Sequence, residues 1–125
     1  AWPKKLAKDI NQSALKAAKR HEDNEQDFSE LTDIIISMSK LLSSRDIDLI
    51  LYTPAFSDSY IAKLEQNKWA NIKKTCEDLG VNHQGIRYID YSTSHMFLNE
   101  HFGDGDHLNQ DGAKLLSKSL NELIQ

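Results

Sequence analysis

Asp104-Gly105-Asp106-His107 sets a carboxylate three residues ahead of a histidine, with Leu108-Asn109-Gln110 following. This spacing suits a general base and its orienting acid. Neutral imidazole takes up a proton on one nitrogen, while a carboxylate holds the other nitrogen and stabilises the imidazolium that forms. Gly105 is expected to let the backbone curl so that Asp104 reaches back to His107. The candidate catalytic pair is therefore His107 as base and Asp104 as its partner. No matching nucleophile can be identified elsewhere in the chain. Ser57-Asp58-Ser59 lacks a preceding glycine and reads as a helix cap, which leaves Ser59 a poor nucleophile.

Two other readings of the same residues stand beside the catalytic one. In the first, Asp104 and Asp106 merely cap turns, His107 lies on the surface and Leu108 plugs the core. In the second, His95, His101, Asp104, Asp106, His107 and Asp111 supply metal ligands. An EF-hand is excluded, because Leu108 falls at the fifth loop position, where an oxygen ligand belongs. Zinc through His101 and His107 lacks a diagnostic spacing, and magnesium at the two aspartates has no better support. No metal and no cofactor are assigned.

The elements that must carry the motif alternate between helix and strand. A first helix is expected from Trp2-Pro3 to about His21, with Leu6, Ile10, Ala14, Leu15, Ala17 and Ala18 as its apolar stripe. Its lysines and Arg20 form a basic face, read as solvated and neutralised by the acidic stretch from Glu22 to Asp33. Residues 21–26 read as a polar linker. A second helix is predicted over 27–44, with Asp27 and Glu30 as a capping box. Its stripe of Phe28, Leu31, Ile35, Met38 and Leu42 is expected to be core, Met38 filling a gap.

Ile47–Thr53 reads as a strand apolar on both faces, as in a buried parallel sheet, and Pro54 ends it. A long helix is predicted over 59–79, with Gly80 as its left-handed stop. A second strand, Ile86–Asp90, follows. After the loop that holds the motif, Asn109 should cap a last helix over 110–124. This order is α/β, with a parallel pair of strands joined by a crossover. Two strands cannot complete a parallel sheet, so either a strand not evident in the sequence, missing chain or a second copy is expected to finish it.

Phe102-Gly103-Asp104-Gly105-Asp106-His107-Leu108-Asn109, followed by Gly112-Ala113, resembles the final block of the SGNH (GDSL-like) hydrolases. It is similar to the versions in cell-envelope acyl-transfer proteins related to the alginate O-acetylation factors and the D-alanyl transfer protein. The resemblance spans about residues 27–125. It implies a partial three-layer, flavodoxin-like parallel sheet with flanking helices, preceded by an N-terminal helix and linker at 1–26. It also implies His107 as catalytic base and Asp104 as its acid, acting on an acyl ester with water or a sugar hydroxyl as acceptor. The family's serine, glycine and asparagine blocks come before the matched region and have no counterpart in this chain. The expectation is the C-terminal half of a serine esterase or O-acyltransferase, inactive alone. The alternative is a non-catalytic binding or assembly module that forms a homodimer through its exposed sheet edge.

The bulk numbers narrow the partners. A net charge of -4 and 8% aromatic residues, with no basic-aromatic interleaving, argue against a nucleic-acid binder. No apolar run approaches a membrane span and no signal-peptide pattern is present. The single cysteine, Cys76, excludes an internal disulfide and reads as a buried inert thiol. The first residue is Ala rather than Met, as expected of a chain cut from a longer one. Compartment is left open, the cell envelope being suggested by the resemblance only.

Overall fold

The computed structural model describes residues 7–22 and 28–125. The expected helix start at Trp2-Pro3, Leu6 of the first stripe, the linker residues 23–26 and the Asp27 half of the capping box lie outside them. Among the described residues the chain is mixed α/β, with five α-helices and one two-stranded parallel sheet. In order, these are α1 (Ala7–Glu22), α2 (Phe28–Ser43), β1 (Leu49–Thr53), α3 (Asp58–Ile61), α4 (Gln66–Asn82), β2 (Ile86–Asp90) and α5 (Gln110–Leu123). No helix among the described residues is long and apolar enough to cross a membrane.

Packing groups these elements into two compact units: α1 with Pro54–Leu64 and Tyr91–Gln125, and α2 and β1 with Glu65–Asp90. α1 thus falls in the same unit as the residues that carry the Asp-His motif.

In the second unit β1 and β2 run parallel, with Leu49 opposite Ile86 and Thr53 opposite Asp90. Asp46 leads the chain from α2 toward β1 with φ 57, a left-handed conformation that aspartate tolerates better than most residues. The strand is less covered than its sequence suggests. Leu49, Ile50 and Leu51 are half-buried, Thr53 is buried and Tyr52 is exposed, because each strand has only one neighbour. Where the sheet ends, Thr53 Oγ1 and Tyr88 Oη share a hydrogen bond of 2.6 Å, and Lys73 Nζ reaches Asp90 Oδ2 at 2.9 Å.

The long helix expected over 59–79 is two helices. Its apolar spacing runs through a break that neither Pro nor Gly announces. The break is made by a side chain: Glu65 accepts hydrogen bonds from the N–H groups of Asn67 (3.0 Å) and Lys68 (2.7 Å) and starts α4 afresh. Gly80 is not a left-handed stop either. It lies inside α4 where the helix meets β2, so that a Cβ would stand only 3.2 Å from Tyr88 Cβ. Along α2, the expected core stripe is only partly inside. Phe28, Ile35 and Leu42 are half-buried, whereas Leu31 and Met38 are exposed and Ser39 takes the buried position. Met38 therefore fills no gap.

The first unit has a small core of short side chains. Ala14, Ala17 and Ala18 of α1 pack against Tyr60 of α3, with Phe56 and Leu64 at the margin. Ile10 is buried too, while Leu15 turns outward, as the helical period requires for a residue one position past Ala14. Alanines on this stripe let neighbouring backbone come close, and that closeness shapes the motif loop.

Candidate functional site

The loop from Tyr91 to Asn109 is fixed at both ends. Tyr91 is buried and its hydroxyl shares a 2.9 Å hydrogen bond with Ser119 Oγ on α5. A 3₁₀ turn at Asn99–His101 follows, in which His101 Nδ1 accepts the Leu98 N–H at 2.9 Å. Phe102, 1% exposed, then pairs with Leu108 in an antiparallel bridge. The Gly103 N–H donates to the His107 carbonyl (2.9 Å) and the Asn109 N–H to the His101 carbonyl (2.8 Å). Residues 103–107 are thereby tied off as a small closed loop.

Asn109 closes the far end as the N-cap of α5, as its position in the sequence suggests. Its Oδ1 accepts from the N–H groups of Asp111 (3.0 Å) and Gly112 (3.1 Å), and its Nδ2 donates to the Glu100 carbonyl at 2.7 Å.

Inside the loop Asp104 and His107 meet. His107 Nδ1 lies 3.0 Å from Asp104 Oδ1 and 3.1 Å from Oδ2. Asp104 Oδ1 also accepts the backbone N–H groups of Asp106 (3.1 Å) and His107 (2.8 Å), an Asx turn that brings the ring round to its carboxylate. Burial by itself would raise the Asp104 carboxyl. Hydrogen bonds from the His107 ring and the Asp106 N–H, the attraction of the ring when charged and a side-chain hydrogen bond with Asp106 together outweigh burial and hold it below its ordinary 3.8.

Gly105 has a different part from the one its sequence suggests. No glycine among the described residues has positive φ. The reason for glycine is close approach: a Cβ on Gly105 would overlap the Ala14 backbone, standing 2.5 Å from its nitrogen. The Gly105 carbonyl is occupied as well, accepting from the Ser57 N–H (3.1 Å) and from Ser57 Oγ (2.7 Å).

Ser57 is thus a structural serine. It is 1% exposed, donates its hydroxyl to the motif loop and accepts the Tyr60 N–H at 3.2 Å as the cap of α3. Ser59 sits in the first turn of α3, its carbonyl accepting from Lys63 Nζ at 3.4 Å. Cys76 belongs to the other unit, and burial, with Asp90 and Glu77 nearby, pushes its thiol up, away from the reactive thiolate.

From its sequence Asp106 reads only as a turn or ligand residue, but the fold sets it among charged neighbours. Its side chain is 9% exposed, its Oδ1 lies 3.2 Å from His107 Nδ1, and its Oδ2 lies 4.0 Å from Arg20 Nη2 on α1. Tyr60 of α3 is near enough that Asp106 adds to the upward push that burial gives its hydroxyl, an effect Arg20 opposes. The only signal for this in the sequence is the adjacency of Asp106 to His107.

Of the six residues weighed as metal ligands, Asp104, Asp106 and His107 present donor atoms within 4.8 Å of one another. His95, His101 and Asp111 join no such group among the described residues. Hydrogen bonding and ion pairing within the loop account for the three that meet, and no metal is assigned. Compared with family models, with curated proteins and with solved structures, the chain finds no match.

Proposed function

We propose that this chain supplies the base and orienting acid of a serine-type acyl-transfer site, as the C-terminal part of a flavodoxin-like SGNH domain. The observation that carries the reading is the carboxylate of Asp104 at 3.0 and 3.1 Å from His107 Nδ1, in a closed loop ahead of the capped helix α5. With Nδ1 at a carboxylate, Nε2 is the nitrogen that takes a proton from a serine hydroxyl and returns it to the leaving group in this reading. The His107 side chain is 56% exposed. The substrate is an acyl ester, and the acceptor is water or a sugar hydroxyl. Because Ser57 is consumed by the fold, the nucleophile comes from chain outside residues 1–125.

The test uses the intact gene product. A fluorophosphonate should label a serine outside residues 1–125, and His107→Ala should lower ester turnover about 10²- to 10⁴-fold. Labelling of Ser57 or Ser59 would overturn the assignment, as would full turnover without His107.

A second, non-catalytic reading is favoured by one observation. Leu31, Ile34, Met38 and Leu41 lie at helical spacing on α2 and are 47%, 55%, 43% and 59% exposed. A second copy pairing there would bury them. Sedimentation of the chain distinguishes the readings: a dimer broken by Ile34→Asp supports assembly, and a monomer rejects it.

A further inference from the structure

We infer that Asp106 is a second positioning carboxylate for His107, so that the Nδ1–H of the ring has two acceptors instead of one. The inference rests on the reading of His107 as the base and deepens it.

Three carboxylate oxygens surround a single ring nitrogen. Asp104 Oδ1 and Oδ2 stand at 3.0 and 3.1 Å, and Asp106 Oδ1 at 3.2 Å. A carboxylate left 9% exposed needs compensation, since burying an unpaired charge is costly. The partners of Asp106 include the His107 ring and the Arg20 guanidinium of α1 at 4.0 Å. Among the described residues, the charged and titratable groups facing Asp106 include Asp104 and His107 from its own loop, Arg20 from α1 and Tyr60 from α3. Two carboxylates this close repel one another unless they share a proton or a proton donor or cation stands beside them, and a side-chain hydrogen bond with Asp106 is among the causes that lower the Asp104 carboxyl. The Nδ1–H supplies the donor and Arg20 the cation.

The mechanical consequence concerns the tautomer. A base working through Nε2 must carry its proton on Nδ1, and the group that accepts from Nδ1 decides this. With Asp104 alone, replacing its charge would free the ring to turn over its proton. With Asp106 alongside, the Nδ1–H tautomer persists after that loss. Asp106 touches no reacting atom and acts only through the imidazole.

Ring ¹⁵N spectra of the full 125-residue chain, recorded where His107 is neutral, test this without any catalytic assay. Asp104→Asn should keep the Nδ1–H tautomer, because the asparagine oxygen can serve the two backbone N–H groups and Asp106 Oδ1, 3.2 Å from Nδ1, is placed to take over the ring proton. The double variant Asp104→Asn/Asp106→Asn should shift toward Nε2–H. If Asp104→Asn alone shifts as far as the double variant, the inference is overturned. Should Asp104→Asn disturb the backbone spectrum, Asp106→Asn alone decides. Its Nδ1 proton should exchange with solvent about two- to tenfold faster than wild type, the worth of one modest hydrogen bond. Unchanged exchange would reject the second acceptor. A tautomer held by both carboxylates in a protein that labels no serine would leave this inference standing and sink the acyl-transfer reading.

Discussion

Replacing Asp104 by asparagine separates the charge of the carboxylate from its shape. The asparagine oxygen can still accept from the N–H groups of Asp106 and His107, which Asp104 Oδ1 now receives at 3.1 and 2.8 Å. What is lost is the charge behind those two bonds and the paired approach to the ring at 3.0 and 3.1 Å. Hydrogen bonds to a charged group are worth about 1.5–3 kcal/mol net, and neutral ones about 0.5–1.5. Because the donors share one carboxylate, the differences do not add in full, and Asp104→Asn should cost about 1–2 kcal/mol at pH 7. Alanine, which removes every acceptor, should cost about 3 kcal/mol. The pH dependence gives the sharper test. The Asp104 carboxyl is held below its ordinary 3.8 in the folded protein, so the unfolded chain binds that proton more readily. Its contribution is whole above that ordinary value, fades as pH falls below it, and is gone under the folded value. Urea denaturation should therefore show the gap between wild type and Asp104→Asn closing in this acid range. Amide exchange at Asp106 and His107 reads the loop itself and should follow the same course. A gap equally wide at pH 7 and pH 3 would refute the claim that charge holds the turn.

Gly105→Ala should destabilise by about 3 kcal/mol, the upper part of the usual overpacking range, because its Cβ meets Ala14 backbone rather than a movable side chain. Thermal unfolding checks this, and an unchanged melting temperature would show that α1 does not press on the loop. Asn109→Ala should cost about 1 kcal/mol as a lost helix cap. Asn109→Asp keeps the cap but not the donor to the Glu100 carbonyl, and chemical denaturation should place it between wild type and alanine.

The parts of this fold that show in the sequence are those set by neighbours along the chain. The Asn109 cap and the contact between Asp104 and His107 depend on residues a few positions apart, and spacing alone suffices to read them, while β2 shows as a short run of strand-forming residues. The alanine stripe of α1 is legible for the same reason. The break between α3 and α4 is not, since Glu65 is as acceptable inside a helix as at its cap. Nor are the contacts that tie distant segments to the loop: Ser57 on the Gly105 carbonyl, Ala14 against Gly105, and Arg20 near Asp106. Serine-aspartate-serine and glycine have several uses each, and only the folded arrangement selects among them. Sequence likewise overstates how well α2 and β1 are covered, because an apolar stripe tells what can be buried and not what is present to bury it.

Those distant contacts matter differently to the pair and to what the pair can do. Asp104 and His107 find each other through an Asx turn, a local device that survives as long as residues 104–107 keep their conformation. Where the ring then stands depends on Ser57 and Ala14, which locate Gly105 from α3 and α1. A base must be placed to within a fraction of an ångström of the proton it takes, and positions farther out fix that placement. Loss of the Ser57 hydroxyl should thus leave the contact between carboxylate and imidazole intact while shifting Nε2, the atom that would carry the proton in the proposed reaction. An Asp-His pair on a loosely held loop would be a turn motif and nothing more. Two supports from separate helices, together with a buried second carboxylate near the same ring nitrogen, are what favour the proton-transfer reading over the capping one.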